Sequence, residues 1–116
     1  DLYNTMTIKI PIETKQGVHT LPASSVIAVE AQGRKVVIHT TQRDFESIRN
    51  MQYWLELLPK NCFFQTHRSF IINFEHVTDF DRTLVHMADE QFHAYLTKRK
   101  YSAFKEAYLL YLDSTR

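Results

Sequence analysis

The sequence Phe63-Phe64-Gln65-Thr66-His67-Arg68-Ser69-Phe70-Ile71-Ile72-Asn73 places four consecutive polar residues between two apolar runs. Both runs are aromatic or β-branched, as residues of half-buried strands usually are. A strand in the core does not hold Thr66 to Ser69 in succession, because their polar groups would be buried without water. The stretch therefore predicts two strands joined by a turn that displays His67 and Arg68. An ordinary polar turn between two strands is the alternative interpretation.

Outward from this stretch, the chain alternates between strand and helix patterns. Residues 6–14 alternate apolar and polar side chains, which predicts a strand with Ile8, Ile10 and Ile12 facing inward. Because Pro11 cannot donate, it is an edge strand or one whose backbone at Pro11 faces out. A helix is predicted from Ser47, as its N-cap, to Leu58, with Trp54 or Leu55 on its buried face. Further strands are predicted at residues 18–21, 26–29, 36–40, 75–80, 84–87 and 91–96, and an amphipathic helix at 97–113 with a buried stripe of Tyr101, Phe104, Tyr108 and Leu112.

These patterns predict a mainly β protein, built of hairpins in small sheets, with one mid-domain helix and a C-terminal helix. The 116 residues are 44% hydrophobic and 13% aromatic, which is enough for one domain, 1–116, with its own core. Cys62 is the only cysteine, so no internal disulfide can form, which suits a reducing cytoplasm. No apolar run approaches the roughly 20 residues of a membrane-spanning helix, and we expect a cytoplasmic protein without a membrane partner.

The basic residues are clustered although the net charge is only +1. Arg34-Lys35 follow Gly33 in a predicted loop, His67-Arg68 lie in the turn described above, and residues 98–100 read Lys-Arg-Lys. Three cations at the start of a helix oppose its dipole, which favours a functional role such as binding phosphate. Scattered, solvated charge is the alternative interpretation.

In their order and spacing, these features resemble the LytTR DNA-binding domain of bacterial transcription regulators. The family commonly has Phe, then His-Arg-Ser, an aromatic residue, two aliphatic residues and Asn, as in residues 63–73. The stretch 27–40 looks like its strand, Glu-Ala turn and second strand, and 47–58 looks like its mid-domain helix before Pro59. Residues 96–101 stand where the family often has Val-Ser-Arg-Arg. The resemblance extends from about Met6 to Leu112, and it implies an elongated β fold.

The resemblance implies sequence-specific binding of double-stranded DNA, through loops that enter the major groove of direct-repeat sites, often with bending. It gives base-reading roles to Arg34 or Lys35, which the alignment does not separate, and to His67, Arg68 and Arg99. It leaves phosphate contacts to Ser69, Lys98 and Lys100. Lysine at position 98, where the family often has Arg, cannot bind in the bidentate manner of Arg. A homodimer on repeated sites and a receiver domain before residue 1, in a longer regulator, are further expectations.

Two other classes of function remain as alternatives. An enzyme with a histidine base lacks support, because no acid accompanies His67 in sequence and no glycine-rich loop exists; we therefore expect no enzyme and no cofactor. A protein-interaction module could use a β-edge or the C-terminal helix. His76, His86 and His93 raise the possibility of a metal site, but the sequence shows no Cys, and no acid at ligand spacing, that joins them, so none is predicted.

Overall fold

The computed structural model describes residues 2–115, which form ten strands and three α-helices. The helices are α1 (Leu2–Thr7), α2 (Met51–Leu57) and α3 (Tyr101–Ser114). The strands are β1 (Lys9–Thr14), β2 (Gly17–Pro22), β3 (Val26–Gln32), β4 (Lys35–Thr40), β5 (Asp44–Ser47), β6 (Phe63–His67), β7 (Phe70–Asn73), β8 (Val77–Phe80), β9 (Leu84–Met87) and β10 (Phe92–Tyr95). The principal extents are 38 × 32 × 25 Å. The mainly β class with a mid-domain and a C-terminal helix is confirmed.

The largest sheet is antiparallel and has five strands in the order β5-β4-β3-β7-β6. Residues 63–73 form its edge strand β6 and the neighbouring strand β7. The first four residues of β3 are all buried, and so is every residue of β7. These two strands pair with Ala28 opposite Ile72 and Glu30 opposite Phe70. The continuous apolar runs in the sequence therefore correspond to the two strands that are covered on both faces.

Two smaller antiparallel sheets and the helices cover the central sheet. One is the β1–β2 hairpin and the other is β10-β9-β8. Helix α2 buries Trp54 completely, and its indole Nε1 donates to Ser47 Oγ at 3.0 Å. Helix α3 buries Phe104 among aromatic rings of the strands, with ring centroids 5.4 Å from Phe64 and 4.9 Å from Phe80. The mid-domain helix and the terminal helix are thus scaffold elements.

Asn73, the last residue of β7, has a structural role. It is fully buried, and its Nδ2 donates to the carbonyls of Ala23 and Val26 at 3.2 and 2.8 Å. Its Oδ1 accepts from the backbone N–H of Glu75 at 3.0 Å. A buried amide must be hydrogen-bonded in this way to be tolerated. The residue joins the end of β7 to the connection between β2 and β3.

Several boundaries predicted from sequence are wrong. Ser47 ends strand β5, and the N-cap of α2 is Asn50, whose side chain accepts from the Tyr53 N–H at 2.9 Å. The strand predicted from Met6 begins only at Lys9, because α1 reaches Thr7, and Ile8 is 49% exposed instead of facing inward.

The C-terminal helix also differs from its prediction. Residues Lys98–Lys100 form a 3₁₀ turn, and α3 starts only at Tyr101. On the last turns of α3 the buried side chain is Tyr111, whereas Leu112 is exposed. The cations therefore precede the α-helix instead of occupying its first turn, and the argument from the dipole of a helix starting at Thr97 does not apply to them.

Candidate nucleic-acid interface

Three basic loops lie at one end of the central sheet. Strand β3 runs towards the β3–β4 turn, and its antiparallel neighbour β7 starts at the β6–β7 turn, so both turns lie at the same end. The third loop joins them because the Thr97 N–H donates to the Thr66 carbonyl of β6 at 3.1 Å. We call this surface the basic edge; it consists of Arg34, Lys35, His67, Arg68, Ser69, Lys98, Arg99 and Lys100.

The first loop is the two-residue turn Gly33–Arg34, closed by the pair Gln32–Lys35. Gly33 has φ +65°, and Arg34 is not among the residues with positive φ. A positive φ at the first central position alone is the pattern of a type II′ hairpin turn, which glycine adopts without strain. Arg34 stands at the tip and lines a surface hollow with Lys15, Gln16 and Glu46. Lys35, the next residue in the chain, is exposed at the start of β4.

The second loop is Arg68–Ser69, between His67 and Phe70, which pair across β6 and β7. The Ser69 N–H donates to His67 Nδ1 at 3.0 Å, and the Ser69 carbonyl accepts from the Ala31 N–H of β3 at 2.9 Å. Because Nδ1 accepts, the proton of the neutral imidazole lies on Nε2, which makes that atom a hydrogen-bond donor. These bonds hold the loop through backbone groups and leave the Arg68 side chain exposed.

The third loop is anchored by one of its own cations. Lys100 Nζ donates to the Gln65 carbonyl of β6 at 3.1 Å. Partial burial, and then the neighbouring charge of Arg99, lower the pKa of Lys100. Lys98 and Arg99 are exposed. The structure therefore gives Lys100 a positioning role, whereas Lys98 and Arg99 have free side chains; contact of any of the three with DNA stays a prediction.

The arginines at the basic edge differ from the other arginines of residues 2–115. Three arginines stack over aromatic rings at 4.6 to 4.8 Å, namely Arg43 over Phe45, Arg49 over Tyr53 and Arg82 over Tyr101. The remaining three are Arg34, Arg68 and Arg99, and none of them has an ion pair or ring contact within the described residues. Guanidinium groups without an internal partner are available to bind an external anion or base.

Two residues near the basic edge were not identified from sequence. Tyr95 of β10 is 59% exposed, and its ring lies 5.9 Å from that of His67 and 5.5 Å from that of Phe70. Arg82 reaches the start of α3, just after the third loop, through its stacking on Tyr101. Tyr95 stands three residues before Lys98, but its ring contact with His67 joins residues 28 positions apart. No local pattern places Tyr95 beside the second loop.

Residues 16–109 match the model of the LytTr DNA-binding domain family. The chain belongs to the LytTR family. The solved LytTr DNA-binding domain of a putative methyl-accepting/DNA response regulator from Bacillus cereus has the same fold, with a TM-score of 0.71 and 27% identity. That match covers 85% of this chain and 94% of the other. The family resemblance, and the fold that it implied for this LytTR domain, are confirmed.

Curated relatives of the LytTR domain include transcriptional regulators. NatR of Bacillus subtilis, a transcriptional regulatory protein, is 29% identical over 105 residues, which cover 86% of this chain and 45% of NatR. The sensory transduction protein LytR of Staphylococcus epidermidis is 29% identical over 68 residues, covering 59% of this chain and 27% of that protein. The chain thus spans less than half the length of these relatives.

Family membership makes DNA binding in transcription regulation the supported class of function. The matched family and the solved neighbour are both DNA-binding domains. That the protein is not an enzyme stays a prediction. Within the described residues, no helix combines the length and the hydrophobicity required to span a bilayer.

Proposed function

We propose that this LytTR domain binds double-stranded DNA sequence-specifically, by placing the three loops of the basic edge in the major groove of direct-repeat sites. The observation that carries the proposal is that the three arginines without internal partners all lie at one end of the central sheet. A two-stranded β-ribbon fits the major groove, and arginine can bond guanine O6 and N7 together. The first two loops are the turns of two-stranded β-hairpins, and each of the three loops carries an arginine.

Within this proposal, Arg68 and Arg99 read bases, and His67 donates from Nε2 to a base acceptor. For the first loop, the tip position and bidentate geometry favour Arg34 as the base reader, which leaves Lys35 to hold a phosphate. Lys98 and Ser69 hold phosphates, since an ammonium and a hydroxyl bond phosphate oxygens without reading sequence. Lys100 adds charge while its ammonium holds the third loop on β6.

Repeated sites would place two copies of the domain on one duplex. A receiver domain would couple them to a signal, and the Bacillus cereus neighbour, a domain of a putative response regulator, supports this part of the proposal. The proposal therefore includes a homodimer on repeated sites, a receiver domain in the longer protein and a cytoplasmic location.

Selection of binding sites from a random duplex pool tests the proposal. Two selections are run in parallel at near-physiological salt, one with the wild-type protein and one with the Arg68→Ala variant. We expect wild type to enrich repeated short elements and the variant to lose preference at one base position of each element. Enrichment of no sequence by wild type would refute sequence-specific binding, and equal selectivity of both proteins would limit Arg68 to phosphate contact.

A second candidate function is docking of a protein partner on helix α3. Leu109 and Leu110 are 53% and 65% exposed, which leaves apolar surface on the helix. DNA affinity falls steeply with salt because counterions are released, whereas binding through an apolar helix face changes little. A salt titration of the affinity for each partner therefore separates the two functions.

A further inference from the structure

The β9–β10 hairpin brings two histidines and a glutamate together. His86 and His93 are directly opposite in the strand register, and their ring centroids are 4.7 Å apart. Glu90 lies in the turn between the strands. One potential ligand atom from each of the three residues lies within 4.8 Å of the other two. The sequence separation of these residues gave no reason to expect that Glu90 would join the two imidazoles.

The environment of His86 is unusual for a histidine without a ligand. Its Nδ1 atom is buried and has no hydrogen-bond partner within the described residues. The atom that faces it is Glu90 Oε1 at 3.8 Å, while Nε2 faces Asp79 Oδ1 at 3.9 Å. In the neutral ring one nitrogen lacks a proton, so its lone pair is directed at a carboxylate. A cation between Nδ1 and Glu90 would remove this conflict.

Asp79 Oδ1 lies 3.9 Å from the other ring nitrogen, Nε2, which is longer than a hydrogen bond. With a cation between Nδ1 and Glu90, the ring proton would lie on Nε2, on the side of the Asp79 carboxylate. Metal-binding histidines commonly have such a carboxylate, carbonyl or water at the nitrogen that does not bind the metal. His76 is not part of the cluster, because its Nε2 is 2.7 Å from the Ser24 carbonyl.

The ligand atoms lie up to 4.8 Å apart, so side chains must close in by up to roughly 1.4 Å to reach the spacing of a zinc site. In a tetrahedral zinc site, with bonds of about 2.0–2.1 Å, ligand atoms lie roughly 3.4 Å apart. The Nδ1–Oε1 separation of 3.8 Å is a few tenths of an ångström longer. Glu90 and His93 are exposed, so their side chains can complete this movement. The Ala88 N–H donates to the His76 carbonyl at 2.9 Å and holds the turn that carries Glu90.

We propose that His86, Glu90 and His93 form a binding site for a divalent transition-metal ion, with zinc as the representative ion. Two imidazoles and one carboxylate suit zinc, copper or nickel, whereas magnesium and calcium prefer oxygen ligands. Water completes the coordination. The ion joins β9 to β10 and thereby stabilises the hairpin whose Tyr95 contacts His67. This site is separate from the basic edge and does not depend on the proposed DNA binding.

Zinc titration followed by calorimetry and thermal unfolding tests the site. We expect one zinc ion per chain and a rise in Tm of about 5 °C when free zinc exceeds Kd by about ten-fold. A chelator should reverse the rise, and magnesium should not reproduce it. The test variants are His93→Gln and Glu90→Gln, each of which should weaken zinc binding by about ten-fold or more, since even loss of an orienting partner costs about 10–100-fold.

His19→Gln is the matched control, because His19 lies in β2 and packs against Phe45. It removes one histidine and should leave zinc affinity unchanged. Absence of binding to wild type, or equal binding by wild type and all three variants, would overturn the proposal. Glu90→Gln alters an exposed turn residue, so it keeps the test decisive if His93→Gln fails to fold. A protonated His86 that only pairs with its two carboxylates would give no zinc-dependent rise.

Discussion

Separate alanine substitutions of two arginines, at opposite ends of the sheet, should distinguish effects on DNA binding from effects on stability. Arg99 belongs to the basic edge and has no ion pair or ring contact, so Arg99→Ala should change the free energy of unfolding by no more than about 0.5 kcal/mol. Arg43 lies in the turn after β4, at the end of the sheet away from the loops, with its guanidinium 4.6 Å from the centroid of Phe45. Arg43→Ala removes the same charge at a different place.

The magnitudes follow from these contacts. If Arg99 bonds a guanine in the bidentate manner, its loss costs roughly 1–3 kcal/mol, or about 5- to 150-fold in affinity for the preferred site. Arg43→Ala should lower the unfolding free energy by about 0.5–1 kcal/mol, the usual strength of an exposed cation–π contact. It should hardly affect DNA binding. The five residue steps along β4 span about 17 Å, which exceeds the Debye length of about 8 Å at physiological salt.

Fluorescence anisotropy on the selected site, together with urea unfolding of the same samples, measures both effects. We expect the two variants to show opposite patterns: Arg99→Ala is stable and binds weakly, whereas Arg43→Ala is less stable and binds normally. Equal losses of affinity in both variants would show that binding depends only on total charge. Unchanged affinity in Arg99→Ala would remove the third loop from the interface.

Three further predictions concern single residues. Lys98→Ala should weaken binding to all duplexes alike and reduce the slope of log affinity against log salt by about one, as measured in salt titrations; an unchanged slope would place Lys98 outside the interface. Ser47→Ala should lower the free energy of unfolding by about 1–3 kcal/mol in urea titrations, because it leaves the buried Trp54 indole N–H without its acceptor; a smaller loss would mean that water replaces the hydroxyl. Burial raises the pKa of the Cys62 thiol to about 11. At pH 8 the folded protein should therefore resist a thiol-labelling reagent that modifies the urea-unfolded chain. Rapid labelling of the folded protein would contradict the burial of Cys62.

The sequence predicted the strands best where hydrophobic pattern alone decides the structure. The apolar residues on both sides of His67-Arg68 lie in β6 and β7. The expectation that all four polar residues 66–69 leave the core is wrong for Thr66, which belongs to β6 and is fully buried. Helical spacing predicted either Trp54 or Leu55 on the buried face of α2, and the structure buries Trp54 completely. What the sequence could not show was which loops meet, since the bond from Thr97 to Thr66 joins residues 31 positions apart through backbone atoms alone.

The errors arise where a residue type serves more than one role. Serine is a common N-cap, but Ser47 instead accepts from the indole of Trp54 and from the Arg49 N–H. Asn50, only three residues later, provides the cap. Glu90 was not considered as a ligand because its place beside His86 depends on a turn of three left-handed residues, with φ of 51° to 72°, that no local pattern of Ala-Asp-Glu predicts.

The way in which the basic edge is held has a consequence for specificity. The second loop is fixed by bonds from backbone groups of Ser69, and the third by the Thr97 N–H and by Lys100. Neither set involves the side chains of Arg68 or Arg99. If these two arginines read bases as proposed, substitution at either position should change which bases are bonded without releasing the loops from the sheet. Substitution of Lys100 differs, because it removes an anchor and would disturb the position of Arg99 together with the charge.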